Sequence, residues 1–147
     1  MRNQVKSVRF ACGVFLLSAG LSAGGAETGA SGSALHSMMV DMLKSGRQSS
    51  LSKSFSRKGD IELEEILQAI GDEDVLAIEC IGKIGRTLGR GIAGVINIFN
   101  PGLVVIGGRL IVGKEYLLLP IKTEINKLSL HRVSSDSEIV LSELGRR

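Results

Sequence analysis

Gly107 and Gly108 stand directly after the apolar run Leu103-Val104-Val105-Ile106, and this is where the chain is best equipped to meet a ligand. Glycines past the carboxyl end of a buried strand carry no side chains to keep a phosphate or an adenosine from the backbone, and open parallel sheets bind their ligands at that end. The same pair also suits a tight turn that binds nothing. Other reactive residues are sparse. His36 has no cysteine or carboxylate at ligand spacing, which suits a structural or solvated imidazole. Cys12 and Cys80 are too far apart to build a zinc site of the usual kind. Glu62, Glu64 and Glu65 crowd together, but with no nucleophile nearby they fit a solvated helix face better than general acid–base work. Lys83, Arg86 and Arg90 share a stripe that could face a nucleotide and more readily faces solvent. No catalytic residue and no metal ligand emerges from the residues themselves.

The elements that must position the glycine pair are legible around it. Pro101 biases Asn100 away from the helical region and closes the preceding helix near Phe99. That helix is expected over residues 72–97, with Asp72, Glu73 and Asp74 at its positive end and Val75, Ile78, Ile81, Leu88, Ile92 and Val95 on one face. Its glycines, at 82, 85, 89, 91 and 94, each cost up to about 1 kcal/mol against alanine in an isolated helix, so packing must compensate. Gly85 and Gly89 would let it press closely onto a sheet or a neighbouring helix. The run 103–106 predicts a strand covered on both faces, as in parallel α/β sheets.

Further elements flank this block. A helix capped by Ser31 or Ser33 and ending near Lys44 presents Leu35, Met38, Met39, Met42 and Leu43 to a core. Residues 45–59, with serines among Arg47, Lys53, Arg57 and Lys58, predict a flexible basic connection. Residues 61–70 predict a short acidic amphipathic helix. Pro120 belongs to the first turn of a later helix or to a kink within it, with Ile121, Ile125 and Leu128 buried. Ile139, Leu141 and Leu144 close the chain as a strand and turn.

With 44% hydrophobic but only 3% aromatic residues, the core must be aliphatic. The net charge of +3 is too small and too dispersed to indicate nucleic-acid binding. Residues 1–26 stand apart. Arg2, Lys6 and Arg9 precede an apolar stretch over 10–23 followed by small residues, which fits a secretory signal peptide and an exported protein, yet is shorter than the about 20 residues of a membrane span. The family resemblance set out below implies instead a displaced segment, from a misassigned start, frameshift or truncation.

Beyond these patterns, LGRGIAGVINIFNPGLVVIGG over residues 88–108 closely resembles the signature near the carboxyl end of the ROK family (repressor, open reading frame, kinase). YLLLPIKTEINKLSL is similar to the family's next helix and SEIVLSELG to its last strand and turn. ETGASGSAL over 27–35 resembles the segment after its zinc loop. The resemblance implies an α/β fold: a partial ribonuclease-H-like, actin-like ATPase lobe in which a long glycine-rich helix packs on a short, mainly parallel sheet. It implies residues 27–147 as a truncated carboxyl-terminal lobe, Glu27 as a sugar-binding carboxylate, and Gly107 and Gly108 as a vestigial nucleotide-binding turn. A carboxylate simply capping the next helix is the alternative for Glu27.

Intact family kinases use ATP and a structural zinc, but the Asp-Gly-Gly-Thr-like phosphate loop, the Asn-Asp pair and the zinc-loop ligands do not occur in this sequence. No cofactor is therefore expected. Arg109 stands where many members have a third glycine, which tips the expectation towards a transcriptional repressor. The function implied is a sugar-sensing effector domain without independent activity, the alternative being the remnant of a glucokinase or N-acetylhexosamine kinase. Partners implied are a hexose or N-acetylhexosamine, DNA only through a helix-turn-helix, and a possible homo-oligomer; no membrane is expected, and the location is cytoplasmic. A lobe short of strands would leave residues 103–106 with a free edge and marginal stability.

Overall fold

The computed structural model describes residues 29–129 and 137–141. Glu27, the segment 1–26 and Leu144 lie outside them. The described chain runs α1 (Gly29–Lys44), α2 (Ser52–Lys58), α3 (Leu63–Gly71), α4 (Val75–Phe99), β1 (Leu103–Ile106), a 3-10 turn (Arg109–Gly113), α5 (Lys114–Leu128) and β2 (Glu138–Leu141). It is a helix-dominated α/β lobe with one short sheet, in which β1 and β2 pair in parallel and Val104 and Ile106 stand beside Ile139 and Leu141.

The core is aliphatic, as the composition requires. Leu35, Met39, Ile66, Ile70, Leu76, Ile81, Ile96, Leu117, Ile121 and Ile125 are its largest buried side chains, with Cys80 among them. Burial pushes the Cys80 thiol above its ordinary pKa, so it behaves as a small apolar residue and not as a nucleophile.

Helix α4 organises this core. Asp74 caps it by accepting the Ala77 N–H at 2.9 Å, and Asn100 ends it in a left-handed conformation at φ 43°, directly before Pro101. Asp72 belongs instead to the end of α3, whose cap it forms. The buried face of α4 carries Leu76, Ala77, Cys80, Ile81, Ile84, Ile92, Ala93 and Ile96. This stripe is rotated from the expected one: Val75 is exposed, and Ile78 and Val95 are only half-buried.

The glycines explain the choice. A Cβ on Gly85 would lie 2.8 Å from Leu117 O, and one on Gly89 would lie 2.8 Å from Ile121 O and 2.9 Å from Glu124 Cβ. Of the two surfaces open to these glycines, α5 is the one they meet. Pro120 sits within α5, not in its first turn, and its ring packs over Gly82 and Gly85. Glu124 is buried at this seam. Burial would raise its pKa, but hydrogen bonds from Arg90 and Lys127 outweigh that and hold the carboxyl below its usual range. Arg90 thus leaves the stripe it shares in sequence with Lys83, which pairs with Glu79.

Four further expectations change. The basic segment 45–59 contains α2, because Phe55 packs on the core and Ser49 and Ser50 are tied to Asp74. Helix α1 starts at Gly29, ahead of both serines proposed as caps. The strand is not covered on both faces: Val104 and Ile106 are buried against the helices, whereas Leu103 is exposed and Val105 half-buried. Leu128, expected inside, is half exposed at the end of α5.

Candidate functional site

The turn after β1 is built from backbone conformation first. Gly108 has φ 113° and ψ −179°, a region that only glycine occupies without strain, and nothing lies within 4 Å of where its Cβ would be. Gly107 is exposed beside it. An open, side-chain-free stretch of backbone therefore sits at the carboxyl end of the parallel pair, next to Ile106 and its partner Leu141, as the spacing of apolar run and glycines predicts.

Two anchors hold the turn. On the inner side, Leu110 and Gly113 of the 3-10 turn are buried, and Gly113 lies so close to Ile81 of α4 that a side chain there would collide with it. On the outer side, the Arg109 guanidinium pairs with the Glu64 carboxylate of α3. Both partners are more than half exposed, so the pair fixes direction more than it adds stability. Sequence spacing gives no hint of this contact, since α3 and the turn are separated in the chain by α4 and β1 and meet directly only in the folded lobe.

A shallow groove of about 330 Å³ runs beside α3, lined by Ser50, Leu51, Glu64, Glu65, Gln68 and Asp72. Its carboxylates are occupied. Glu65 accepts the Glu62 N–H at 2.9 Å, the Lys58 ammonium at 3.0 Å and the Ser54 hydroxyl at 2.9 Å, which together hold its pKa down to about 2. It is thus the reciprocal half of a capping box with Glu62 and not a general base.

Asp74 has a similar duty. Burial raises its pKa, but the Ser50 N–H at 2.6 Å, the Ala77 N–H and the Ser49 hydroxyl more than offset this and keep it ionised. Asp74 was legible as a helix-start residue; its second role, pinning residues 49–50, depends on tertiary contact. His36 is structural. Its Nε2–H donates to Ile61 O at 2.8 Å and lies 3.0 Å from Asp60 Oδ1, joining α1 to the entry of α3. Among the described residues no cluster of His, Cys, Asp and Glu could hold a metal ion, and no helix is long and apolar enough to cross a membrane. Of the residues singled out for a site, the described structure places Gly107 and Gly108 together; Glu27 lies outside it.

A lobe of this architecture, with a glycine turn ending its parallel strands, matches the ROK family model over residues 21–146, and the chain belongs to that family. Two curated relatives bracket it. It is 35% identical over 121 residues to the DNA-binding transcriptional dual regulator NagC of Escherichia coli K12, covering 82% of this chain and 29% of that protein. It is 28% identical over 119 residues to a glucokinase of Halalkalibacterium halodurans, covering 81% of this chain and 36% of that protein.

Among solved structures, a ROK family transcriptional regulator, homologous to the E. coli MLC protein, superposes with a TM-score of 0.68 at 33% identity, over 75% of this chain and 27% of the other. A structure described as a sugar kinase from Cytophaga hutchinsonii reaches 0.65 at 17% identity over 76% and 36%, a likeness of fold. The chain therefore spans about a third of the length of these relatives, and its fold is part of the actin-like ATPase architecture they share.

Proposed function

We propose that this chain is the carboxyl-lobe part of a sugar-sensing effector domain in a ROK transcriptional repressor, working in the cytoplasm, and that by itself it neither phosphorylates sugar nor binds operator DNA. The observation that carries the reading is the Gly107–Gly108 turn: the glycine-only backbone persists at Gly108, but the next position is an arginine drawn across to Glu64 instead of an unencumbered backbone. A turn tied into the lobe can serve as scaffold after nucleotide chemistry is gone. The identity to a repressor, higher than that to a glucokinase, supports the same branch.

The ligand in this reading is a hexose or N-acetylhexosamine, with N-acetylglucosamine foremost because repressors named for that sugar are 35% identical to this chain. Glu27 is the proposed contact to sugar hydroxyls. No metal and no nucleotide is assigned a role. Calorimetry with glucose, N-acetylglucosamine and N-acetylmannosamine tests the sugar: heat with one of them for the wild type, lost in Glu27→Ala, is expected. Equal null results for both proteins remove the role of Glu27. The second reading, a remnant of a sugar kinase, is favoured by the glucokinase likeness over 119 residues. Sugar-dependent ADP release by the purified chain would establish it and defeat the repressor reading.

A further inference from the structure

We propose that the outer side of the α4–α5 pair is a docking surface for another protein, one that presents an acidic amphipathic helix. On α4 the outward row is charged. Glu79, Lys83, Arg86 and Arg90 recur at steps of four, three and four residues, so they share one face of the helix, turned away from the buried Ile81, Ile84 and Ile92. The row of α5 lies alongside. The two helices run in the same direction, with Gly85 against Leu117 and Pro120 and Gly89 against Ile121 and Glu124, which sets Tyr116, Leu119 and Thr123 of α5 outward beside the charged row. Tyr116 is 38% and Leu119 68% exposed.

Charge identifies the occupant, because each carboxylate on this face is shared by two cations. Glu79 takes Arg47 at 2.7 Å and Lys83 at 2.8 Å; Glu124 takes Arg90 at 3.3 Å and Lys127 at 3.4 Å. Arg86, exposed between them, makes no ion pair among the described residues. Five cations against two carboxylates leave the face at +3, as much as the whole chain carries. The partner must therefore be acidic. A nucleic acid would meet Glu79 and Glu124 within the row and gain nothing from Leu119, while a lipid surface would find only two apolar side chains to bury. A helix with carboxylates along one stripe and apolar side chains along the next matches both rows at once, pairing with the surplus cations and covering Tyr116 and Leu119.

Fluorescence anisotropy tests this with the full chain and a labelled helical peptide of about 18 residues, five turns long, carrying glutamate along one stripe and leucine along the next. Binding is expected, weakening as salt screens the exposed charges. Arg86→Glu and Leu119→Asp should each weaken it at least about tenfold while leaving the far-UV circular dichroism unchanged, because both side chains stand outside the core. Arg57→Glu makes the same change of charge at an exposed position on α2 and should leave binding intact. No binding to the peptide overturns the proposal. So does binding that survives Leu119→Asp, which would be attraction by charge alone, or that Arg57→Glu weakens equally, which would be attraction to the chain at large. Tighter binding to a mixed-sequence DNA duplex or to vesicles of phosphatidylserine and phosphatidylcholine, lost in Arg86→Glu, also overturns it and makes the face a nucleic-acid or membrane surface.

Discussion

Between α4 and α5 side chains are removed so that two backbones can meet; on β1 side chains are supplied, and one face of the strand is left partly exposed among the described residues. Gly85 and Gly89 bring α4 to within contact of the carbonyls of Leu117 and Ile121. In the sheet, Val104 and Ile106 pack inwards beside Ile139 and Leu141, but Leu103 is exposed and Val105 half-buried on the other side. At Gly85 and Gly89 the helical seam is saturated, so an added methyl must displace backbone, whereas the sheet is unsaturated and gains from added contact. The two regions should therefore respond to substitution with opposite sensitivity.

The seam gives the largest effect. Gly89→Ala should destabilise the chain by about 3 kcal/mol in urea unfolding, because the new methyl meets fixed backbone and the small gain in helix propensity cannot offset the overlap. A loss below about 1 kcal/mol would mean that α4 and α5 separate easily. Next comes the turn that ends the sheet. Gly108→Ala has room for its methyl but not the backbone conformation, and should cost about 2 kcal/mol. If crowding were the only constraint on glycines here, this variant would be neutral. Gly94→Ala sharpens the contrast with the opposite sign. It lies on the same helix as Gly89, is exposed and has nothing within 4 Å, so it should stabilise by up to about 1 kcal/mol.

Acid probes the helical side. Glu65 has its pKa lowered from 4.5 to about 2, and Asp60, Asp74, Glu79 and Glu124 are lowered too, all outside the sheet. A carboxylate depressed in the folded state contributes stability that is whole above the unfolded pKa and lost as pH falls towards the folded one. The melting temperature should thus decline from about pH 4.5 towards pH 2, less steeply in Glu65→Gln. A flat profile over that window would show that these bonds do not persist in solution. The smallest effect belongs to Arg109→Ala, at under about 0.5 kcal/mol, since its pair with Glu64 is solvated. A larger loss would make that pair a structural clamp.

Much of the architecture was readable from residue order. The stop at Asn100-Pro101, the strand over 103–106, the glycine pair beyond it and the helix after it all stand where local rules put them, because proline geometry, β-branching and glycine freedom act within a few residues. What failed did so for lack of a partner in the sequence window. Helix α2 is short, basic and serine-rich, and owes its place to Phe55 reaching the core and to Asp74 fixing residues 49–50 from across the chain. The face of α4 was placed by hydrophobicity alone, whereas its glycines set the direction in which α5 could approach, leaving Val75 outside.

The candidate site divides in the same way. That Gly108 must be glycine is a local fact, visible in the diglycine after an apolar run. That Arg109 reaches Glu64, and that Gly113 touches Ile81, could not be read, since the partners lie 45 and 32 residues apart in the chain and meet only in the folded lobe.

By itself, then, the amino-acid order determined the family, the aliphatic core, the kinds of element and the glycine turn that closes β1. Only the tertiary structure decided which helix the glycines of α4 would meet, which carboxylates would be spent on caps and ion pairs, and which strand face would be left open. The first set depends on conformational preferences of neighbouring residues, and the second on distances between segments that no local preference can specify.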